Sequence, residues 1–290
     1  MSNDAPLADL VELLGLERIE DTLFRGRSED LGWGALYGGQ VLGQALSAAE
    51  QTVPEDRAVH SLHAYFLRKG DPARPVIYDV DCIRDGRSFT TRRVVAIQHG
   101  KAILNAACSF QTEEVGFDHQ DPNPEAEGPD GVESETDLYR RYAALIPEGP
   151  LKTRALSDKP IEFRPIAPVN PLNPGKTEPV RQVWFRATAP LGTDARVHRQ
   201  LLTWASDSHF LTTAMQPHGV SWVTKGMQTA SLDHTMYFHR PFRMDEWLLY
   251  DIESPSASNA RGLVRGRFFQ DGRLVASTVQ EGLIRHWKGT

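Results

Sequence analysis

The sequence predicts an α+β fold built twice within one chain, each half a central helix wrapped by an antiparallel β-sheet. Three observations carry that expectation. Strings rich in β-branched and aromatic residues run over 59–111 and again over 231–284, with the two-residue alternation of half-buried strands. An apolar run at helical spacing precedes each set, at 41–49 and at 201–214. The two sets also keep a constant offset: Phe238 lies 172 positions after Phe66, and Gly272 the same 172 after Gly100. A fixed offset held over such a length marks an internal duplication.

In order along the chain, Leu7, Leu10, Val11 and Leu14 fall on one helical face and predict a short leading helix over 7–19. Residues 22–26 read as a strand, and Gly32 to Gln40 as a loop feeding the helix at 41–49. That helix is built largely of small residues (Ala45, Ser47, Ala48, Ala49), which suits a helix enclosed by a sheet. Asp85-Gly86 and His99-Gly100 are hairpin signals between the strands that follow. The segment from Glu113 to Asp137 holds ten acidic residues and no Lys or Arg. It reads as a solvated linker, partly disordered at most. A short helix over 138–145 and strands near 161–165 and 183–187 precede the second central helix. The expected organisation is an N-terminal unit over 1–113, an acidic linker with a short helix over 114–160, and a C-terminal unit over 161–290.

The totals exclude several classes. A net charge of −6 and a pI near 5.9 give no basic stripe for nucleic acid. No run of about 18 apolar residues predicts a membrane span. Met1 to Asp4 opens no secretory signal, the last three residues are not a Ser-Lys-Leu address, and the cytoplasm is the default location. Cys82 and Cys108, far apart in strand-like segments, read as buried thiols in a reducing compartment.

Asp207, in Ala205-Ser206-Asp207-Ser208-His209, stands in the middle of an apolar helical run where a carboxylate has no capping role. Taken alone it reads as part of a solvated face or of an ion pair. Ser231 opens a strand and Gln280 sits in an alternating one, each unremarkable by itself. Gly38 and Gly39 begin the first central helix and are either a tight turn or a source of free amide N–H groups for a ligand oxygen. His60, His63, His234 and His239 lie on strands without a Cys or carboxylate set of ligand type, so no metal is expected. Trp204, Trp222, Tyr237 and Trp247 read as core. Arg92, Arg93, Arg261, Arg265 and Arg267 are candidates for phosphate contacts or plain exposed strand residues.

Residues 24–49 (FRGRSEDLGWGALYGGQVLGQALSAA), 60–111 and 234–284 (opening HTMYFHRPF) resemble the type II acyl-CoA thioesterase family. The resemblance covers nearly the whole chain except the acidic linker, and it implies the tandem, or double, hotdog fold. It also implies hydrolysis of medium- to long-chain acyl-CoA by a water held between an Asp, a Ser or Thr, and a Gln, with no cofactor. Position by position these are Asp207, Ser231 before Leu232-Asp233-His234, and Gln280 in Ser277-Thr278-Val279-Gln280-Glu281-Gly282. Gly38, Gly39 and His234 are the further oxyanion or substrate-contact candidates. One site per chain is expected, because Tyr37-Gly38-Gly39-Gln40 offers no carboxylate to match Asp207. The fold implies further association into a homodimer or tetramer.

Two rival activities remain at this level. A hotdog enoyl-CoA hydratase uses an Asp–His pair, but Asp207 and His209 are too close for that motif. A non-catalytic acyl-CoA-binding protein keeps the fold without turnover. A serine hydrolase is disfavoured because no G-x-S-x-G elbow occurs; Gly26-Arg27-Ser28-Glu29-Asp30 fails at its last position.

Overall fold

Among the described residues, thirteen strands join in one antiparallel sheet, and its register repeats the offset read from the sequence. The computed structural model describes residues 4–146 and 148–287; residues 1–3 and 288–290, which entered the targeting expectations, lie outside them. The helices are α1 (Ala5–Leu14), α2 (Gly38–Glu50), α3 (Glu135–Arg141), α4 (Pro150–Leu156), α5 (Ala195–Ser206) and α6 (Phe210–Met215). The first-half strands are β1 (Glu17–Arg18), β2 (Leu23–Gly26), β3 (Ala58–Phe66), β4 (Val76–Asp85), β5 (Phe89–Gln98) and β6 (Lys101–Gln111). Those of the second half are β7 (Ile161–Pro165), β8 (Val180–Ala187), β9 (Met227–Ser231), β10 (Asp233–Phe238), β11 (Leu248–Ser258), β12 (Arg261–Gln270) and β13 (Arg273–His286). Strands β4, β5 and β6 begin 172 residues before β11, β12 and β13.

The strand order is β1-β2-β4-β5-β6-β3-β10-β13-β12-β11-β8-β7, with β9 pairing β13 off that path. At the seam, β3 pairs β10 with His63 opposite Thr235. Those two residues are themselves 172 apart, so a local twofold passes between them. The two halves thus share one continuous ladder and leave no open edge at the join.

Helix α2 is buried at every position from Gly39 to Glu50, as expected of a helix apolar or small on all sides. Its buried polar residue Gln44 is satisfied by the Leu13 and Arg27 carbonyls and the Tyr78 hydroxyl. Helix α5 lies antiparallel beside it: Gly39 meets Trp204, Gly43 meets Gln200, and Glu50 reaches Arg199 and Gln200. Each half has its own core, one centred on Leu42, Leu46, Tyr78 and Phe110, the other on Phe185, Phe210, Tyr250 and Phe268. The leading helix α1 packs Leu7, Leu10 and Leu14 into the core of the second half, not the first.

Several expectations change. The run over 201–214 is not one helix: α5 ends at Ser206, Asp207 caps it, and His209 turns left-handed with φ 61° before α6. Cys82 is exposed, and only Cys108 is buried. Trp204 is core, but Trp222 and Tyr237 are exposed. Tyr237 points outward by strand alternation and sets its ring edge-on to His63 across the seam. The acidic segment is exposed, as its composition predicts, yet it is also tied down. Asp118 and Asp121 pair with Arg240 and Arg267, Gln120 bonds the backbone of Gly272 and Leu274, and the Glu127 carbonyl accepts the Trp184 indole N–H.

Candidate active site

The break after α5 presents Asp207 at the end of one central helix, opposite the start of the other. The Gly39 N–H donates to Asp207 Oδ2 at 3.1 Å. Both glycines are there for close approach. A Cβ on Gly38 would lie 2.6 Å from Asp207 Oδ2, and one on Gly39 would lie 2.2 Å from the Trp204 carbonyl oxygen. Any side chain would push the helices apart. The Gly39 amide is therefore committed to the carboxylate, whereas the Gly38 N–H, at the same helix start, has no protein partner among the described residues.

Ser231 and Gln280 arrive on β9 and β13 and meet Asp207 from the sheet side. The Ser231 hydroxyl donates to Asp207 Oδ1 at 3.4 Å. The Gln280 amide N–H donates to Ser231 Oγ at 3.0 Å and also toward the carboxylate. So the structure brings together all three residues expected from sequence, although 24 and 49 positions separate Ser231 from the other two.

His234 sits one layer behind, fully buried. Its Nδ1 lies 2.6 Å from Gln280 Oε1, and its Nε2 faces the hydroxyls of Ser206 at 2.9 Å and Thr278 at 3.1 Å. An amide oxygen only accepts, so Nδ1 carries the proton and Nε2 takes one from a hydroxyl. One direction then runs through the network, from His234 to Gln280 to Ser231 to Asp207. His234 touches the trio through Gln280 and not the carboxylate itself.

Electrostatically the site is a half-buried carboxylate with neutral donors. Burial raises the Asp207 pKa, opposed in turn by His234, the Gly39 N–H, Ser231 and Gln280. Burial lowers that of His234, consistent with a neutral imidazole holding the amide.

Tyr37, in the loop that leads into α2, closes the site from the first half. Its hydroxyl bonds the Trp204 carbonyl at 3.0 Å and Ser208 Oγ at 2.8 Å. Its position just before the two glycines was the one available signal. Thr278 and Ser206 carried none, being small polar residues in apolar strings.

The first half holds a buried carboxylate of its own, at the far end of α2. Glu50 is the last residue of α2, as Asp207 caps the end of the antiparallel α5. Glu50 is buried and paired with Arg199 at 3.1 Å and Gln200 at 2.7 Å. It lies near enough to Cys108 to help burial push that thiol upward, and Cys108 precedes Gln280 by the 172-residue offset. The five candidate arginines already hold carboxylates: Arg92 with Asp85, Arg93 with Asp81, Arg261 with Glu281, Arg265 with Glu253, and Arg267 with Asp251. Arg92 is buried, not an exposed strand residue. No His/Cys/Asp/Glu cluster of metal-binding type occurs among the described residues. No helix there is long and apolar enough to cross a membrane.

Comparison with known proteins points one way. Residues 152–283 match the family model for acyl-CoA thioesterase, and residues 28–111 match that for the acyl-CoA thioesterase N-terminal domain. Acyl-CoA thioesterase 2 of Haemophilus influenzae is 44% identical over 280 residues, covering 96% of this chain and 98% of that protein. Human acyl-coenzyme A thioesterase 8 is 43% identical, covering 94% and 88%. The crystal structure of an acyl-CoA thioesterase II from Mycobacterium marinum superposes with a TM-score of 0.77 at 39% identity, covering 97% of this chain and all of that one. A hot dog fold protein of Alicyclobacillus acidocaldarius, 17% identical, shares the fold with a TM-score of 0.75 over 96% and 98%. With its two helices enclosed by a duplicated sheet, the chain belongs to the type II acyl-CoA thioesterase family, whose fold is the double hotdog.

Proposed function

We propose that this enzyme hydrolyses medium- to long-chain acyl-CoA to free fatty acid and CoA, with a water activated by Asp207 and oriented by Ser231 and Gln280. The observation that carries this reading is a half-buried carboxylate ringed by neutral donors, with no cation in direct contact among the described residues. A thioester carbonyl needs no covalent enzyme intermediate. Asp207 accepts a proton from water as the water oxygen bonds to the carbonyl carbon, a role that contributes typically ~10²–10⁴-fold. Ser231 and Gln280 fix the geometry of that water. The developing oxyanion needs an N–H donor, and the uncommitted Gly38 amide at the start of α2 is placed to give one. Collapse of the tetrahedral species breaks the C–S bond, and the proton on Asp207 passes to the departing thiolate. Burial, by raising the Asp207 pKa, makes it a stronger proton acceptor than a free carboxylate.

A groove further along the same strands supports the acyl end of the reading. Met227 lies four residues before Ser231 on β9, and Ile284 four after Gln280 on β13. With Met215, Val220 and Ala260, and with polar residues that include His218, Asn259, Arg261 and His286, they line an open concavity of about 450 Å³. Filling it with Met227→Trp should shift preference toward shorter chains.

The test is free-thiol release from decanoyl- and palmitoyl-CoA, wild type against Asp207→Asn. A fall of about 10² or more in the mutant, with the fold intact by circular dichroism, supports the assignment. Equal turnover in both proteins removes Asp207 as the base. No wild-type turnover on either substrate, with retained affinity, would make the chain a binding protein.

A further inference from the structure

The residue two places after Asp207 departs from what its turn requires. Five non-glycine residues among those described have positive φ: His99, His209, Asn259, Ala260 and Asp271. Four of these lie in hairpin turns between paired strands. His209 alone joins two helices, at φ 61° and ψ −6°, a conformation normally given to Gly or Asn. A histidine held there implies that its side chain is fixed by something else.

That side chain enters a half-buried cluster which the hydrolytic chemistry does not use. An Arg181 N–H from β8 donates to His209 Nδ1 at 3.4 Å. The ring packs on Phe163 of β7, centroids 5.0 Å apart. Nε2 points to Glu135 Oε1 at 3.8 Å, at the first residue of α3, and Glu135 also accepts the Tyr139 hydroxyl at 3.3 Å. Arg181 is itself braced by Gln216 Oε1 at 3.0 Å. The His209 carbonyl accepts the hydroxyls of Thr212 and Thr213. Between His209 and Asp207, Ser208 is held from the opposite side by Tyr37.

We infer that His209 is a positioning residue for Asp207: the Arg181–His209–Glu135 cluster clamps the turn after α5, so that the linker helix α3 helps fix the carboxylate against Ser231 and the Gly39 N–H. The inference rests on the catalytic reading of Asp207. The turn has two anchors, Tyr37 from the first half and this cluster from the second. Without the second, the chain at 207–209 regains rotational freedom and the carboxylate samples positions off the attack geometry. A misplacement near 1 Å costs up to about 10²-fold in rate.

The experiment compares His209→Gly, His209→Asn, Glu135→Gln and the Glu135→Gln/His209→Gly double variant. Each is assayed for kcat and KM by thiol release and checked by thermal melting, with Asp207→Asn as control. Glycine accepts the turn but removes the clamp, so kcat should fall about tenfold with KM within about twofold. Asparagine accepts the turn and can take the Arg181 N–H, so it should recover most of kcat. The double variant should be no slower than His209→Gly, because Glu135 acts through His209. Wild-type kcat in His209→Gly overturns the inference, and so do losses that multiply in the double variant. If His209→Gly does not fold, Glu135→Gln decides, since it leaves the turn residue in place: unchanged kcat there overturns the inference. An active Asp207→Asn would instead overturn the catalytic reading itself, which separates the two failures.

Discussion

Asp207 and Glu50 end the two central helices of one duplicated chain, and both are carboxylates, the first half-buried and the second fully buried. Their surroundings differ in kind. Asp207 meets a backbone N–H, a hydroxyl and an amide, all neutral. Glu50 meets the Arg199 guanidinium and the Gln200 amide. The sheet facing them has diverged to match. At the 172-residue offset, Gln280, Thr278 and His234 on the second half correspond to Cys108, Ala106 and Leu62 on the first. Burial raises both carboxylates; for Glu50 the chief opposing influence is Arg199, in direct contact, and for Asp207 it is His234, which does not touch it, followed by the neutral donors. The same helix end in the same fold thus holds a proposed base in one half and an inter-helix ion pair in the other. What separates the roles is whether a counter-charge is in contact and whether the sheet beneath offers polar atoms for a water.

The largest expected effect breaks the comparison by function. Asp207→Asn should lose turnover by about 10² or more, while Glu50→Gln keeps kcat within about twofold; thiol-release kinetics on both variants check this. Stability should show the reverse weighting. Glu50→Ala strands the mostly buried Arg199 and should cost about 3 kcal/mol in urea unfolding, with kcat of the surviving folded enzyme little changed. Gly39→Ala should cost roughly 1–3 kcal/mol by overpacking against the Trp204 carbonyl and lower kcat as well, because the same amide holds Asp207.

A subtler contrast lies in pH. Asp207 must be ionised to act and its folded pKa is raised, so the acid limb of kcat/KM should lie above the ordinary carboxylate range, with activity rising as pH rises through it. Glu50→Gln should not move that limb. The linkage sign follows. Between the unfolded and the raised folded value, the native chain holds a proton that the unfolded chain has lost, so this group's contribution to stability falls as pH rises through that window. Asp207→Asn should therefore gain more in melting temperature, relative to wild type, at pH 7 than at pH 4. The smallest effect belongs to the linker: Asp118→Asn, which removes an exposed partner of Arg240, should cost under about 1 kcal/mol.

The strands and their repeat were legible because alternation and hairpin residues act locally, and a tertiary duplication keeps its period in the sequence. The trio was legible only through the family resemblance, since Ser231 and Gln280 have no local mark. The split of the second helix was hidden: no Gly or Pro occurs between Leu201 and Met215, and the left-handed turn is made by His209, held through contacts that span the chain. Glu50 escaped because its partners, Arg199 and Gln200, lie 149 and 150 positions away and meet it only through helix packing. The arginines could not be sorted for a similar reason. Their carboxylate partners lie across neighbouring strands or in the linker.

The seam between β3 and β10 has a consequence for the order of events during synthesis. Growing from its N-terminus, the chain completes β3 long before β10 exists. Until then one side of β3 pairs with β6, and the other is an unpaired edge of the kind that invites association between chains. The next stretch to emerge after β6 is the acidic segment, whose like charges repel the same segment on a neighbouring nascent chain. Only when β10 docks does the first half gain its missing neighbour. The same step brings the Gly39 amide of the early half up to the Asp207 carboxylate of the late one, so the pocket is assembled last.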